Sequence, residues 1–203
     1  CTDTTYIHCT TLNDTEIQLI VDSGGSVSLA APVEMMMGHG MPPTQKFLDR
    51  GLKPSLSVDV ETNVPGDMFT QLRSVIALQH NLIHERRLAG ESKVPDLISE
   101  QEVLEYATIE GARANGLDHK IGSLTPGKEA DIIMLTTDHV NVSPINNPAA
   151  AVVWGMDTSN VDSVMIAGKF LKRSGLLVNV DLNAVQKMVY DARDYVLRRS
   201  RFN

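Results

Sequence analysis

Aromatic residues are scarce in this chain, 4% of 203, and cysteine is scarcer still, with two in all, Cys1 and Cys9. Basic residues are also the minority: 18 Lys and Arg against 25 Asp and Glu leave a formal charge of −7. A chain with neither a basic field nor aromatic platforms for stacking bases is not a nucleic-acid binder. Two cysteines make no disulfide framework, which points to a reducing cytoplasm. No apolar run approaches the roughly 20 residues of a membrane helix, so no membrane partner is expected. There is no internal repeat, no low-complexity tract and no signal peptide. The chain opens at Cys1, without Met, almost directly into strand-like sequence, and residues upstream are expected. What is present is ordinary: 42% hydrophobic and 21% charged residues, the balance of a folded protein of one ordinary domain or two small ones.

Along the first half, strands alternate with helices. Thr4 to Cys9 is β-rich, and Asn13-Asp14-Thr15-Glu16 has the form of a capping box that opens a helix ended by Gly24-Gly25. Val27 to Ala31 reads as a second short strand, followed by a Met-rich and Gly-rich loop from Pro32 to Pro43. A short helix from Thr44 to Asp49 precedes a third strand, Ser55 to Val60. From Asp67 a long helix places Met68, Phe69, Leu72, Val75, Ile76, Leu82 and Ile83 on one stripe. Three consecutive strand–loop–helix units predict a parallel sheet covered by helices. In the second half a capping box at Ser99 to Glu102 starts a helix reaching Asn115. Ala130 to Leu135, Ala150 to Trp154 and Val161 to Leu171 read as strands between turns. Asp181 to Arg201 reads as an amphipathic helix with Leu182, Val185, Val189, Ala192 and Val196 facing inward and Arg198, Arg199 and Arg201 at its end.

In parallel sheets and barrels, functional side chains stand at the C-terminal strand ends and in the loops that follow. That filter selects His8 after the first strand, Glu34 and His39 in the loop after the second, and Asp59 at the end of the third. Asp59 sits in apolar company, where a carboxylate is costly unless it is paired, hydrogen-bonded or on a metal. Each has a plainer alternative: His8 as a hydrogen-bonded histidine, Asp59 as a loop cap, Glu34 and His39 as loop residues. His80 and His84 share a helix face, but no Glu lies between them in the HExxH manner, and a solvated face accounts for them.

These segments together resemble the amidohydrolase superfamily, in its cytosine deaminase-like branch. Tyr6-Ile7-His8-Cys9 is similar to the family's sixth barrel strand, Leu56-Ser57-Val58-Asp59 to its eighth, and Gly66 to Arg73 to the helix beyond. The most specific run is Gly111-Ala112-Arg113-Ala114-Asn115-Gly116-Leu117 with Ile121 to Ile132, similar to the segment that leads out of the barrel. The resemblance implies an α/β fold: the C-terminal part of a (β/α)8 metal-hydrolase barrel, part of a small β-sandwich and a terminal helix. The corresponding divisions are 1–117, 118–180 and 181–203. It also implies one divalent metal, zinc in the first place and iron as the alternative. The activity implied is hydrolytic deamination or dechlorination of a purine, pyrimidine or triazine-like ring by metal-activated water.

Within that resemblance Asp59 is a metal ligand and proton acceptor. His8 either orients the water or is itself a ligand. Glu34 and His39 become substrate contacts, in a loop where the family's usual Asn-Pro-x-Ser-Asn is replaced by Ala31-Pro32-Val33-Glu34-Met35. The family's HxH and its strand-five histidine have no counterpart here, so the expected partner is the N-terminal half of the barrel, or another copy of the chain. Two further readings stay open: a catalytically incomplete fragment or interaction module, and a cyclic-amide hydrolase of the dihydroorotase or imidazolonepropionase type.

Overall fold

Three short strands near the start of the chain lie side by side in a parallel sheet in the computed structural model, which describes residues 1–200. They are β1 (Thr5–Ile7), β2 (Ser26–Leu29) and β3 (Ser55–Leu56), with Tyr6 opposite Val27 and Leu29 opposite Leu56. Parallel neighbours need crossover connections. Here α1 (Asp14–Ser23) joins β1 to β2, and α2 (Ala31–Met36) with α3 (Thr44–Leu48) joins β2 to β3. The start of α1 is the capping box read from the sequence: Asn13 Oδ1 accepts from the Thr15 and Glu16 amides, and Glu16 Oε2 accepts from the Asn13 amide. Gly24 ends the helix at φ 70°, a left-handed conformation that suits a residue without Cβ.

Side chains alternate across the sheet. Val27 and Leu29 are fully buried in a core with Ile17, Ile20 and Phe47. Leu56 joins a second core built by α4 (Met68–Leu88) and α5 (Glu100–Ala107), with Leu72, Ile76, Val103 and Tyr106. Helices α1 and α3, with α4 and α5, thus cover these residues, and they are not bare within the chain. The opposite face carries Ser26, Ser28 and the exposed Ile7.

Several boundaries differ from the sequence reading. The third strand stops at Leu56 because the chain turns at Asp59 (φ 63°), where Ser57 Oγ accepts from the Asp59 amide. The loop after β2 begins as helix α2, since Pro32 in its first turn has a preset helical φ. The helix from Ser99 divides at Thr108 into α5 and α6 (Ile109–Ala114). Thr108 Oγ1 donates back to the Leu104 carbonyl, a local bond that competes with a straight helix. Gly122 then passes against α6 so closely that a Cβ there would lie 2.6 Å from Ala112 Cβ.

The second half forms a four-stranded antiparallel sheet in chain order. Its strands are β4 (Ile132–Leu135), β5 (Val161–Ile166), β6 (Lys169–Arg173) and β7 (Leu176–Leu177). Ala167 and Gly168 both take positive φ at the β5–β6 hairpin, the geometry that matches strand twist in a two-residue turn. Ala150 to Trp154, expected as a strand, is helical instead: α7 (Pro148–Ala150) runs into a wide turn ending at Gly155. Asn147 caps the Ala150 amide, Val153 is fully buried in the α4–α5 core, and Arg73 donates to the Val153 and Met156 carbonyls. Helix packing and a cap here override the β preference of paired valines.

The terminal helix forms as α8 (Leu182–Ser200), but its apolar stripe is not buried by any described element. Leu182, Val185, Val189 and Val196, expected inward, are exposed, and none of its described residues is buried. Arg198 and Arg199 stand in its last turn, whereas Arg201 lies outside the described residues. No described helix is long and apolar enough to cross a membrane.

Candidate active site

All four residues selected by the strand-end filter meet at one end of the parallel sheet. His8 follows β1 directly, its amide bonded to the Ser28 carbonyl at the end of β2. Both His8 and Cys9 hold left-handed backbone (φ 65° and 58°), as does Asp59 beyond β3. Three non-glycine residues at positive φ around one sheet end store strain of a kind that collects at functional sites. This conformation turns the His8 ring toward the neighbouring strand ends. Its Nδ1 lies 3.1 Å from Glu34 Oε1, and its Nε2 lies 3.8 Å from Asp59 Oδ2. His39 closes the group, its ring edge-on to that of His8 with centroids 5.5 Å apart.

The two acids have opposite surroundings. Asp59 keeps about a third of its side chain accessible, while that of Glu34 has none. Glu34 Oε1 accepts from the Ala30 amide at 2.8 Å, and Oε2 is buried without a partner among the described residues. Burial pushes the Glu34 carboxyl above the usual range, opposed by the Ala30 amide and by His8. Burial, and after it the Glu34 charge, push the Cys9 thiol up to about 11, the direction of an unreactive buried thiol.

Thr10, which sequence reasoning did not single out, holds the loop in place: its Oγ1 donates to the His39 carbonyl at 2.7 Å. The only signal for it was its position just after a strand. Met35, Met36, Met37 and Met41, in the same loop as Glu34 and His39, are exposed. A cavity of about 590 Å³ runs along the outer side of β1, past His8, Cys9, Thr10 and His39. His80 and His84 are not part of the group. His80 Nε2 is bonded to the Ile98 carbonyl.

The donors at this end suit a divalent cation in kind. At 3.8 Å, His8 Nε2 and Asp59 Oδ2 are too far apart for a hydrogen bond but converge on a common space. Imidazole nitrogen and carboxylate oxygen are both ordinary zinc ligands. They fall short in number: among the described residues, no three His, Cys, Asp or Glu side chains gather to hold a metal by themselves.

The profile of the amidohydrolase family matches residues 2–171. The 5-methylthioadenosine/S-adenosylhomocysteine deaminase of Acetivibrio thermocellus is 30% identical over 192 residues, which cover 94% of this chain and 42% of that protein. The fold is similar to that of an adenosine deaminase from Xanthomonas campestris with bound zinc (TM-score 0.82, 24% identity, 95% of this chain and 42% of that one). It is also similar to the zinc complex of atrazine chlorohydrolase from Arthrobacter aurescens (TM-score 0.79, 22% identity, 92% and 40%). The chain therefore spans about two-fifths of the length of these proteins.

Proposed function

The chain belongs to the amidohydrolase family, and from that premise we propose that it forms part of a metal-dependent hydrolase that removes an amino group from a purine-type ring. The observation that carries the reading is the convergence of His8 and Asp59, which follow the two outer strands β1 and β3, at one end of the parallel sheet. Family membership gives that convergence a chemistry, and the resemblance to a deaminase of adenosine derivatives favours a 6-aminopurine nucleoside as substrate.

In this reading the parallel sheet is the C-terminal part of a (β/α)8 barrel over residues 1–117. The antiparallel sheet belongs to a small β-sandwich over 118–180, and α8 is a terminal helix. Asp59 would hold the cation, zinc in the first place, with further ligands from outside these residues; His8 Nε2 would either join them or orient the water, and it cannot do both. Such a cation supplies Lewis acidity that brings the pKa of a water toward neutrality. The accessible Asp59 carboxylate takes the proton of the attacking water. Where it is not a ligand, His8 Nε2 orients that water toward the ring carbon; the proton held by Asp59 passes to the amino group, which leaves as ammonia, and the second water proton ends on the ring nitrogen beside the new carbonyl. His39 and the exposed methionines form an adaptable wall for a flat ring. A cytoplasmic location belongs to the same reading and rests on cysteine usage.

The test is ammonia release by the intact, zinc-supplied protein from methylthioadenosine-type nucleosides, aminopyrimidines and aminotriazines, with chloride release from chlorotriazines measured alongside. Ammonia from the purine nucleosides is expected. Chloride alone would move the substrate to halogenated triazines, and no product from any ring would sink the hydrolase reading.

A further inference from the structure

We propose that Glu34 is a positioning residue that fixes the tautomer of His8 and does not itself touch substrate. The proposal rests on the catalytic reading of His8 given above and deepens it. The side chain of Glu34 has no accessible surface, so it offers nothing to a ligand in the mouth. What it touches is the ring: Oε1 lies 3.1 Å from His8 Nδ1 and at the same time accepts from the Ala30 amide at 2.8 Å. An oxygen already anchored as an acceptor favours an N–H on the ring nitrogen facing it. With the proton on Nδ1, the lone pair of the ring is on Nε2, the nitrogen that faces Asp59. The opposite tautomer would press the Nδ1 lone pair against the lone pairs of a fully buried oxygen, which is costly.

Capping alone does not explain this carboxyl group. The start of α2 needs one acceptor for the Ala30 amide, and an exposed or amide side chain would serve. Here an ionisable group is buried with Oε2 left unpartnered, an arrangement that costs stability and needs another reason. Orientation of a catalytic or metal-binding histidine through its second nitrogen is such a reason, and loss of such a partner typically costs about 10–100-fold in activity. The remaining contacts fit the same role. The His8 amide is tied to Ser28, and the backbone at φ 65° leaves the ring little freedom except rotation about its own bonds, which the Glu34 contact removes.

The tautomer can be read without turnover. Long-range ¹H–¹⁵N spectra of the intact, metal-free protein labelled at histidine, recorded where the imidazole is neutral, report which nitrogen carries the proton. The His8 signals are identified from their loss in His8→Asn. We expect Nδ1–H and a bare Nε2 in the wild type and in Glu34→Gln, which keeps an acceptor oxygen, and a mixed or reversed state in Glu34→Met. In the active protein, Glu34→Met should lower kcat by about 10–100-fold at nearly constant KM, with Glu34→Gln recovering most of it. An Nε2–H tautomer in the wild type would overturn the proposal, as would an unchanged tautomer in folded Glu34→Met. A KM effect without a kcat effect would also overturn it, because it would make Glu34 a substrate contact. If Glu34→Met does not fold, the wild-type and Glu34→Gln spectra still decide. A protein that shows the expected tautomers but hydrolyses nothing would overturn the functional reading alone.

Discussion

Asp59→Asn in the intact protein is expected to lower kcat by about 10³-fold or more, with a parallel loss of bound metal. Asparagine is the informative replacement because Asp59 holds φ 63°, a conformation that Asn tolerates better than most residues. The Ser57 Oγ contact to the backbone amide of residue 59 is kept, so the turn after β3 should survive. What is lost is the charge 3.8 Å from His8 Nε2 and the base that accepts the proton of water. Thermal unfolding of the metal-free forms should change little, since the side chain is partly accessible and in neither core. Turnover, metal content and melting temperature of the same preparation check this together. Near-normal kcat would remove Asp59 from the chemistry. His8→Ala separates the two roles of the histidine: a loss of rate exceeding the loss of metal marks a water-orienting residue, and equal losses mark a ligand.

The 203 residues alone are expected to hold no metal tightly, to hydrolyse nothing and to self-associate. Two donors converge where a catalytic zinc site commonly has three protein ligands and an open position. The sheet also has free edges. β1 pairs only with β2, Ile7 beside it is 56% exposed, and the cavity along its outer side is the kind of surface another strand or chain would cover. On α8, Leu182, Val189 and Val196 stand in water as a second apolar surface. Light scattering after size-exclusion chromatography, with metal analysis of the eluted peak, checks both halves of the expectation. A stable, metal-loaded, active monomer of 22.2 kDa would contradict it.

What could be read from residues alone was mostly local. Asn13 with Glu16 and Ser99 with Glu102 are capping boxes in sequence and in space, because the groups that make them lie three residues apart. Three short strands are legible as a parallel sheet, and their C-terminal ends and loops as the place of His8, Glu34, His39 and Asp59; the order β1-β2-β3 that brings them together is seen only in the structure. The misreadings occur where distant contacts decide. Val152 and Val153 suggest a strand, yet a capped start and burial against α4 make that stretch helical. The stripe on α8 has helical spacing, but spacing reports only that a face prefers cover and not what covers it. Glu34 was visible as a polar residue in a candidate loop. Its complete burial beneath His8 was not, since that depends on how α2 returns over the sheet.

The most direct test of the account is removal and return of the metal in the intact protein. Dialysis against a chelator should bring hydrolysis of a 6-aminopurine nucleoside to background while the circular dichroism spectrum is kept. One equivalent of zinc should restore hydrolysis in the wild type, and Asp59→Asn should not recover at any metal concentration. Full hydrolysis by the metal-free protein, or recovery of Asp59→Asn to wild-type rates, would contradict the assignment of this strand-end group as part of a metal-dependent active site.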